Sequence, residues 1–321
     1  MKNLKWLASL KRIGRALLVI VLATFLVRML MSLAPGSIAE GMLGENATPE
    51  AIAKFNEKWG LDAPPWQQYL TWLRGAVVGD LGESPLTGQS VMEAILERLP
   101  VTLELAFLGL GIALAVAIPF ALICATWPGR GIDRALSSLS SVFLAVPAFI
   151  AGPVLIYVLA VQLRLFPVLG WNPLSEGLAA NLQTAFIPAL SIAFVEIAAF
   201  HRLLRADLIS TLSEDYIAAA RAKGMGGVYV MLRHALRPSS FSLVTVLGIT
   251  LGALAGGTVV VETLFGLPGL GQLIVQSIMT RDVTMVMGAV TFAAVMYVGI
   301  NTMVDVSYSF LDPRVRRRAA A

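Results

Sequence analysis

The chain has 321 residues, of which 57% are hydrophobic and only 14% charged, with a mean hydropathy of +0.78. Soluble domains carry about a quarter charged residues, so this composition excludes an ordinary soluble protein and points to an all-α membrane protein with one embedded domain. The formal charge of +4 is no evidence for a nucleic-acid partner, and the single Cys124 excludes an internal disulfide or a Cys-based metal site.

The basic segment MKNLKWLASLKRIGR precedes an apolar run over 16–33. That run is long for a cleaved signal peptide, and the pattern predicts an uncleaved first transmembrane helix serving as a signal anchor. Arg28 falls near its outer end, where a long stem can snorkel to the interface.

Residues 34–100 read as an extracytoplasmic loop of short amphipathic helices. Thr48-Pro49-Glu50 is a cap and first turn, with Ile52, Phe55 and Trp59 on one face before Gly60. Trp66, Tyr69, Leu70, Leu73 and Val77 repeat the helical stripe, and Ser90 with Glu93 makes a capping box for a third short helix ending near Pro100. Such helices fit a layer on the membrane surface or a small soluble subdomain.

Five further apolar runs, near 101–125, 137–161, 185–200, 241–261 and 285–304, reach span length. Pro147 and Pro153 interrupt the second of them, and Gly248, Gly252 and Gly256 in the fourth are spaced for close helix packing. With six spans and both termini in the cytoplasm, seventeen of the 24 basic residues lie inside, although 34–100 is the longest loop. The predicted organisation is a cytoplasmic N-terminus and first span (1–33), the outer loop (34–100), a core of five spans (101–311) containing a cytoplasmic loop at 202–238, and a basic cytoplasmic tail (312–321).

No motif for catalysis is present: there is no His-Glu-x-x-His, no Gly-x-Ser-x-Gly and no phosphate-binding Gly-x-x-x-x-Gly-Lys-Ser/Thr. An intramembrane enzyme would need a nucleophile and base in reach, and Ser191 and His201, ten residues apart on one helix, stand roughly 15 Å from each other. No catalytic residue and no metal site is therefore expected. Glu196, costly inside a span, and His201 read as a bundle-interior polar contact or as residues of a solute path. An ATP-independent transporter or channel would be favoured by inverted repeats, and the first three spans do not pair with the last three.

The loop at 202–238 carries six basic residues, Arg202, Arg205, Arg221, Lys223, Arg233 and Arg237, and a run of helix formers from Asp215 to Lys223 closed by Gly224. Ala218 to Ala220 let a short helix approach another surface closely, Tyr216 offers an aromatic anchor, and Gly224 permits a sharp turn. Arg221 and Lys223 suit the helix C-terminus. Composition alone fits a solvated amphipathic turn or a lipid-headgroup contact as well.

Glu214-Asp215-Tyr216-Ile217-Ala218-Ala219-Ala220-Arg221-Ala222-Lys223-Gly224, with His234-Ala235-Leu236-Arg237-Pro238 downstream, resembles the cytoplasmic EAA loop of ABC importer permeases, in the oligopeptide, dipeptide and nickel branch. Gly60-Leu61-Asp62, Gly79-Asp80-Leu81-Gly82, Arg98-Leu99-Pro100, Pro147-Ala148-Phe149, Pro268-Gly269-Leu270-Gly271, Arg281-Asp282 and Leu311-Asp312-Pro313-Arg314 follow in the order of that branch. Two departures are Ala218, where the general motif opens on an acidic residue, and a proline displaced to Pro238.

The resemblance implies a type I permease bundle in the bacterial inner membrane. It pairs with a second permease, two ATPase subunits and an extracytoplasmic solute-binding protein, and carries short peptides or, alternatively, nickel chelates or another small solute. ATP and Mg would bind the partner subunits, with no cofactor on this chain. Glu214, Asp215, Tyr216, Ala219, Ala220, Arg221, Lys223 and Gly224 would couple to an ATPase, and Pro268, Gly269 and Gly271 would face the solute-binding protein.

Overall fold

The computed structural model describes residues 2–33, 38–43, 47–256 and 258–311. The predicted basic tail at 312–321 lies outside the described residues. Among those described there is no β-strand, only an isolated antiparallel bridge between Glu83 and Ser90. The helices are α1 (Lys2–Leu33), α2 (Ile38–Leu43), α3 (Pro49–Trp59), α4 (Pro65–Val77), α5 (Val91–Thr126), α6 (Gly131–Ala145), α7 (Ala148–Leu155, prolonged by a π-turn over Ile156–Gln162), α8 (Leu178–Leu212), α9 (Asp215–Ala222), α10 (Gly227–Tyr229), α11 (Leu236–Ala255), α12 (Val259–Phe265), α13 (Leu270–Met279) and α14 (Val283–Leu311).

Four stretches are long and apolar enough to cross a membrane unbroken: Val91–Thr126, Leu178–Leu212, Gly227–Ala255 and Val283–Val304. Leu17–Leu33 is a shorter apolar segment of α1, and α6 with Ala148–Gln162 makes a broken span bent by 102°. Each of the six predicted apolar runs falls on helix, with four corrections. The run predicted at 241–261 ends with α11 at Ala255, and Val259–Phe265 is a separate helix that with Leu270–Met279 makes a second broken apolar pair. The third short helix and the second span are one helix, α5, because Pro100 sits on an exposed face and costs it a single backbone donor. The span predicted at 137–161 is broken at Val146, which Pro147 holds extended (φ −99°, ψ 108°). The span predicted to end at Phe200 continues as α8 to Leu212, so the loop at 202–238 begins inside a helix.

The chain divides into two compact units, one of residues up to Val101 with Pro268–Gly299, the other of Thr102–Leu267 with residues from Ile300. In the first, Thr48 caps α3 by accepting from the Ala51 amide (3.2 Å), and Gly60 ends it in the left-handed region (φ 64°). Helix α4 lies against α1: the Tyr69 hydroxyl donates to the Val21 carbonyl (2.9 Å) and meets the Thr24 hydroxyl (3.0 Å), and its ring meets Phe25 edge-on. Tyr69 is buried and Trp72, Leu73 and Ala76 are half-buried beside it, whereas Trp66, Leu70 and Val77 of the predicted stripe are exposed. A core of Leu81, Val91, Ala94, Ile95, Leu270, Leu273, Met285 and Ala289 forms where Gly288 lets α14 close on Val91. Asp282 caps α14 through the Met285 amide (3.0 Å) and accepts from the buried Ser84 hydroxyl.

In the second unit α8 is the central element. Ala113, Ala117, Ala121 and Ala125 recur every four residues along α5 and give it a flat buried face in the cluster that also holds Ala193, Ile197, Phe200, Leu204 and Leu208 of α8. Gly109 meets Ile192 in the same way. Helix α6 is held to α8 by polar contacts. Asp133, 2% exposed, receives two hydrogen bonds from the Arg205 guanidinium (2.7 and 2.6 Å) and one from the Gly129 amide (2.7 Å). Two turns along, the Ser140 hydroxyl meets His201 Nδ1 (2.7 Å). A Cβ at Gly248 would collide with Val304, so the expected close packing of that glycine row is realised between α11 and α14.

Two stability predictions follow from this geometry. Asp133→Asn should lower the melting temperature of the purified protein, by about 1–3 kcal/mol of lost stability, because it leaves the half-buried Arg205 guanidinium facing a neutral amide. The double change Asp133→Leu with Arg205→Met should be less harmful than either single one, and a thermal-shift series showing the double variant as the worst would refute that explanation. Gly248→Val should cost about 1–3 kcal/mol by forcing α11 and α14 apart, readable in the same assay.

Candidate functional site

The segment 202–238 folds from both ends inward. Its first eleven residues complete α8, a short break at Ser213 and Glu214 follows, and α9 then runs from Asp215 to Ala222. Lys223 terminates α9, and Gly224 turns the chain with φ at 80°. No atom would meet a Cβ at Gly224, so its conformation and not its size is what the turn uses. The segment ends in helix as well: α10 and a π-turn over Val230–Ala235 run into α11. His234 to Pro238, predicted as the end of a loop, therefore belong to a continuous helical stretch beginning at Gly227.

Helix α9 is two-sided. Ile217 (0% exposed) and Ala220 (6%) enter the cluster formed by Leu204, Leu208, Val230 and Ala235. Their i, i+3 spacing turns Glu214, Asp215, Tyr216, Ala218, Ala219, Arg221 and Lys223 to the exposed side. The Tyr216 hydroxyl donates to the His234 carbonyl (3.4 Å), and the Tyr229 ring meets the His234 ring edge-on at 5.5 Å. Around α9 the surface shows Tyr216, Met225, Val228, Tyr229 and Leu232 among exposed Arg221, Lys223, Arg233 and Arg237. An apolar patch rimmed by cations, on a helix fastened from behind, is an arrangement suited to receiving another protein.

Two expectations for this segment need correction. Ala220 was predicted as a coupling contact, but it is part of the buried face. Arg205 was grouped with the basic residues of the loop, but its half-buried guanidinium is paired with the buried Asp133 of α6. The other predicted coupling residues, Glu214, Asp215, Tyr216, Ala219, Arg221, Lys223 and Gly224, lie on the exposed side together.

Glu196 and His201 are not brought together. His201 is fully buried, bonded to Ser140 and edge-on to Phe120. Glu196 is half-buried and lines an apolar depression of about 310 Å³ walled by Ala148, Ile192, Val195, Leu254, Thr258 and Val259–Val261. Among Pro268, Gly269 and Gly271, only Pro268 is exposed, while Gly269, the N-cap of α13, and Gly271 in its first turn are buried. A second buried carboxylate, Glu262, accepts from the hydroxyls of Thr102 (2.8 Å) and Thr258 (2.7 Å). Sequence reasoning missed Asp133, whose partner Arg205 lies 72 positions away, and it met Asp282 only as part of a motif, with no sign of its contact with Ser84. Among the described residues no three His, Cys, Asp or Glu side chains come together as a metal site.

Comparison with known proteins identifies the chain. Residues 117–317 match the model of the binding-protein-dependent transport system inner membrane component, and residues 4–106 match the model of the N-terminal part of such components. A putative peptide transport system permease protein of Brucella abortus (strain 2308) is 36% identical over 307 residues, covering 96% of this chain and 98% of that protein. The oligopeptide transport system permease protein AppB of Bacillus subtilis (strain 168) is 36% identical, with 91% and 93% covered. The dipeptide transport system permease protein DppB of Escherichia coli (strain K12) is 32% identical, with 96% and 98% covered. In fold the chain is similar to a chain of the MetNI methionine ABC transporter, solved in inward-facing conformations, with a TM-score of 0.56 at 20% identity over 69% of this chain and 97% of that one. The chain belongs to the family of binding-protein-dependent transport system inner membrane components.

Proposed function

We propose that this chain is one of two permease subunits that together form the path for short peptides through the bacterial inner membrane, with α9 as the element that couples the path to ATP hydrolysis on separate subunits. The observation that carries the reading is the build of α9: its inner face is locked into the permease core by Ile217 and Ala220, and its outer face is exposed. A load applied to such a helix is passed to Leu204 and Leu208 of α8 and to the π-turn over Val230–Ala235 that leads into α11, instead of being absorbed by a slack loop.

The partner set follows from the chemistry the chain lacks in its sequence. No phosphate-binding loop is present, so ATP and Mg would bind two ATPase subunits, and this chain would be a non-catalytic subunit. The distribution of basic residues supports a cytoplasmic location for both termini and for α9, with 34–100 on the outer face towards a solute-binding protein. Nucleotide-driven closure of the ATPases would bias the permease between inward-open and outward-open arrangements by differential affinity. The peptide substrate rests on the named relatives, which include peptide, oligopeptide and dipeptide permeases over nearly their full length.

Two experiments test this reading. Purified alone, the chain should hydrolyse no ATP, and peptide uptake into proteoliposomes should require co-reconstituted ATPase subunits and the binding protein. Uptake by the chain alone would refute the assignment. Ala219→Arg, on the exposed face, should lower uptake roughly tenfold or more with the melting temperature unchanged, as expected for a contact at the centre of an interface. Ala220→Arg should lower both, since it places a charge in the core. Equal loss of stability in the two variants would count against a two-sided α9.

A further inference from the structure

Arg28 is the only basic residue predicted within the first apolar segment, and the structure buries it: the side chain is 7% exposed. Its Nη2 donates to Gln68 Oε1, and Gln68 is itself held by donating from Nε2 to the carbonyls of Leu61 (2.9 Å) and Ala63 (2.6 Å). A guanidinium has five donors and a full charge, and a neutral amide satisfies only a small part of that demand. A buried cation without a counter-charge costs several kcal/mol.

The guanidinium lines a cavity of about 330 Å³ whose other walls include Trp59, Leu61, Trp72, Thr284 and Met287. Among the described residues no carboxylate lines this cavity. It has the size of a small-molecule site, with apolar and aromatic walls, the amides of Gln67 and Gln68, the hydroxyls of Thr71 and Thr284, and Arg28 as its one charged lining group. A cation in such a setting favours an anion as its ligand.

Its position selects among anions. Arg28 lies five residues before Leu33, the last residue of the apolar segment, roughly 7.5 Å along the helix axis. Leu26, Leu30 and Leu33 on the same helix are exposed, as a surface bordering hydrocarbon would be. An arginine stem bridges that depth to the headgroup level, where indole rings also settle. The anion available there is the lipid phosphate, which a guanidinium meets with parallel hydrogen bonds. We propose that this cavity binds the phosphate of a membrane phospholipid, with Arg28 as its counter-charge and Trp59 and Trp72 as the walls around the headgroup. The proposal does not depend on which side of the membrane the first helix ends.

The test uses the intact transporter, this chain with its co-purified partner subunits, in native mass spectrometry after incubation with defined lipids. Phosphatidylglycerol and phosphatidylethanolamine, which share the phosphate, should both be retained under conditions that strip diacylglycerol. Arg28→Gln should reduce that retention roughly tenfold and Arg28→Lys by less, as expected for losing a charge-assisted hydrogen bond as opposed to weakening it. Trp59→Ala, which leaves the bond between Arg28 and Gln68 in place, should also reduce it, so the test survives if Arg28→Gln fails to assemble. Retention of phospholipid by Arg28→Gln or Trp59→Ala at the wild-type level overturns the proposal, as does equal retention of diacylglycerol. Displacement of the bound lipid by sodium phosphate would assign the site to a soluble oxyanion and overturn the lipid assignment.

Discussion

The ion pair between Asp133 and Arg205 is the contact on which the arrangement of the second unit depends. A carboxylate at 2% exposure is tolerable only when its charge and its lone pairs are both met, and here the guanidinium, the Gly129 amide and the Ser137 hydroxyl meet them. The geometry is directional in a way that aliphatic packing is not. It sets the rotation of α6 about its own axis and the height at which it meets α8, and the contact between Ser140 and His201 repeats the same register two turns along. Arg205 lies one turn past Phe200, where the apolar run ends, so the pair also carries the order of the bundle into the non-apolar part of α8.

That extension is what gives α9 its backing. Leu204 and Leu208, on the same stretch as Arg205, are fully buried, and they form the wall that Ile217 and Ala220 enter. The exposed side of α9 is consequently held by two small contacts on a rigid floor, with Gly224 ending the helix before it can run on past that floor. Tyr216, reaching the His234 carbonyl, ties α9 to the helical stretch that becomes α11, and Tyr229 packs on the His234 ring from within that stretch. One short helix is thus fastened to the end of one span and to the beginning of the next.

Much of this was legible in the sequence, for physical reasons that differ between elements. The apolar runs located the four unbroken spans because twenty apolar residues are tolerated in few other settings, and the cap at Thr48 and the turn at Gly224 were visible because few residue types do those tasks. The ends of spans were not visible. Nothing in the hydrophobicity of α8 says that it continues to Leu212, since there the helix is stabilised by packing of Leu204 and Leu208 and no longer by the bilayer. Pro100 and Pro147 look alike in sequence, yet α5 passes through the first and the chain breaks before the second. For the site, exposure of Tyr216, Ala219 and Arg221 agrees with the motif, while the burial of Ala220 required knowing which side of α9 meets α8. The charged contacts were hidden because Asp133 and Arg205 are separated by 72 positions, and neither belongs to a pattern.

The break at Val146 and Pro147 has a consequence for what surrounds this chain. Where α6 ends and α7 begins the helical ladder is interrupted, and the backbone carbonyls freed there must find donors. Hydrocarbon has none to offer, so irregular backbone at that depth is stable only against protein or water. In the single chain the neighbouring Val142, Leu144, Phe149 and Ile150 are all exposed. Four exposed apolar side chains beside an interrupted helical ladder make this bend a place where a protein neighbour, able to supply donors, would serve better than lipid tails alone.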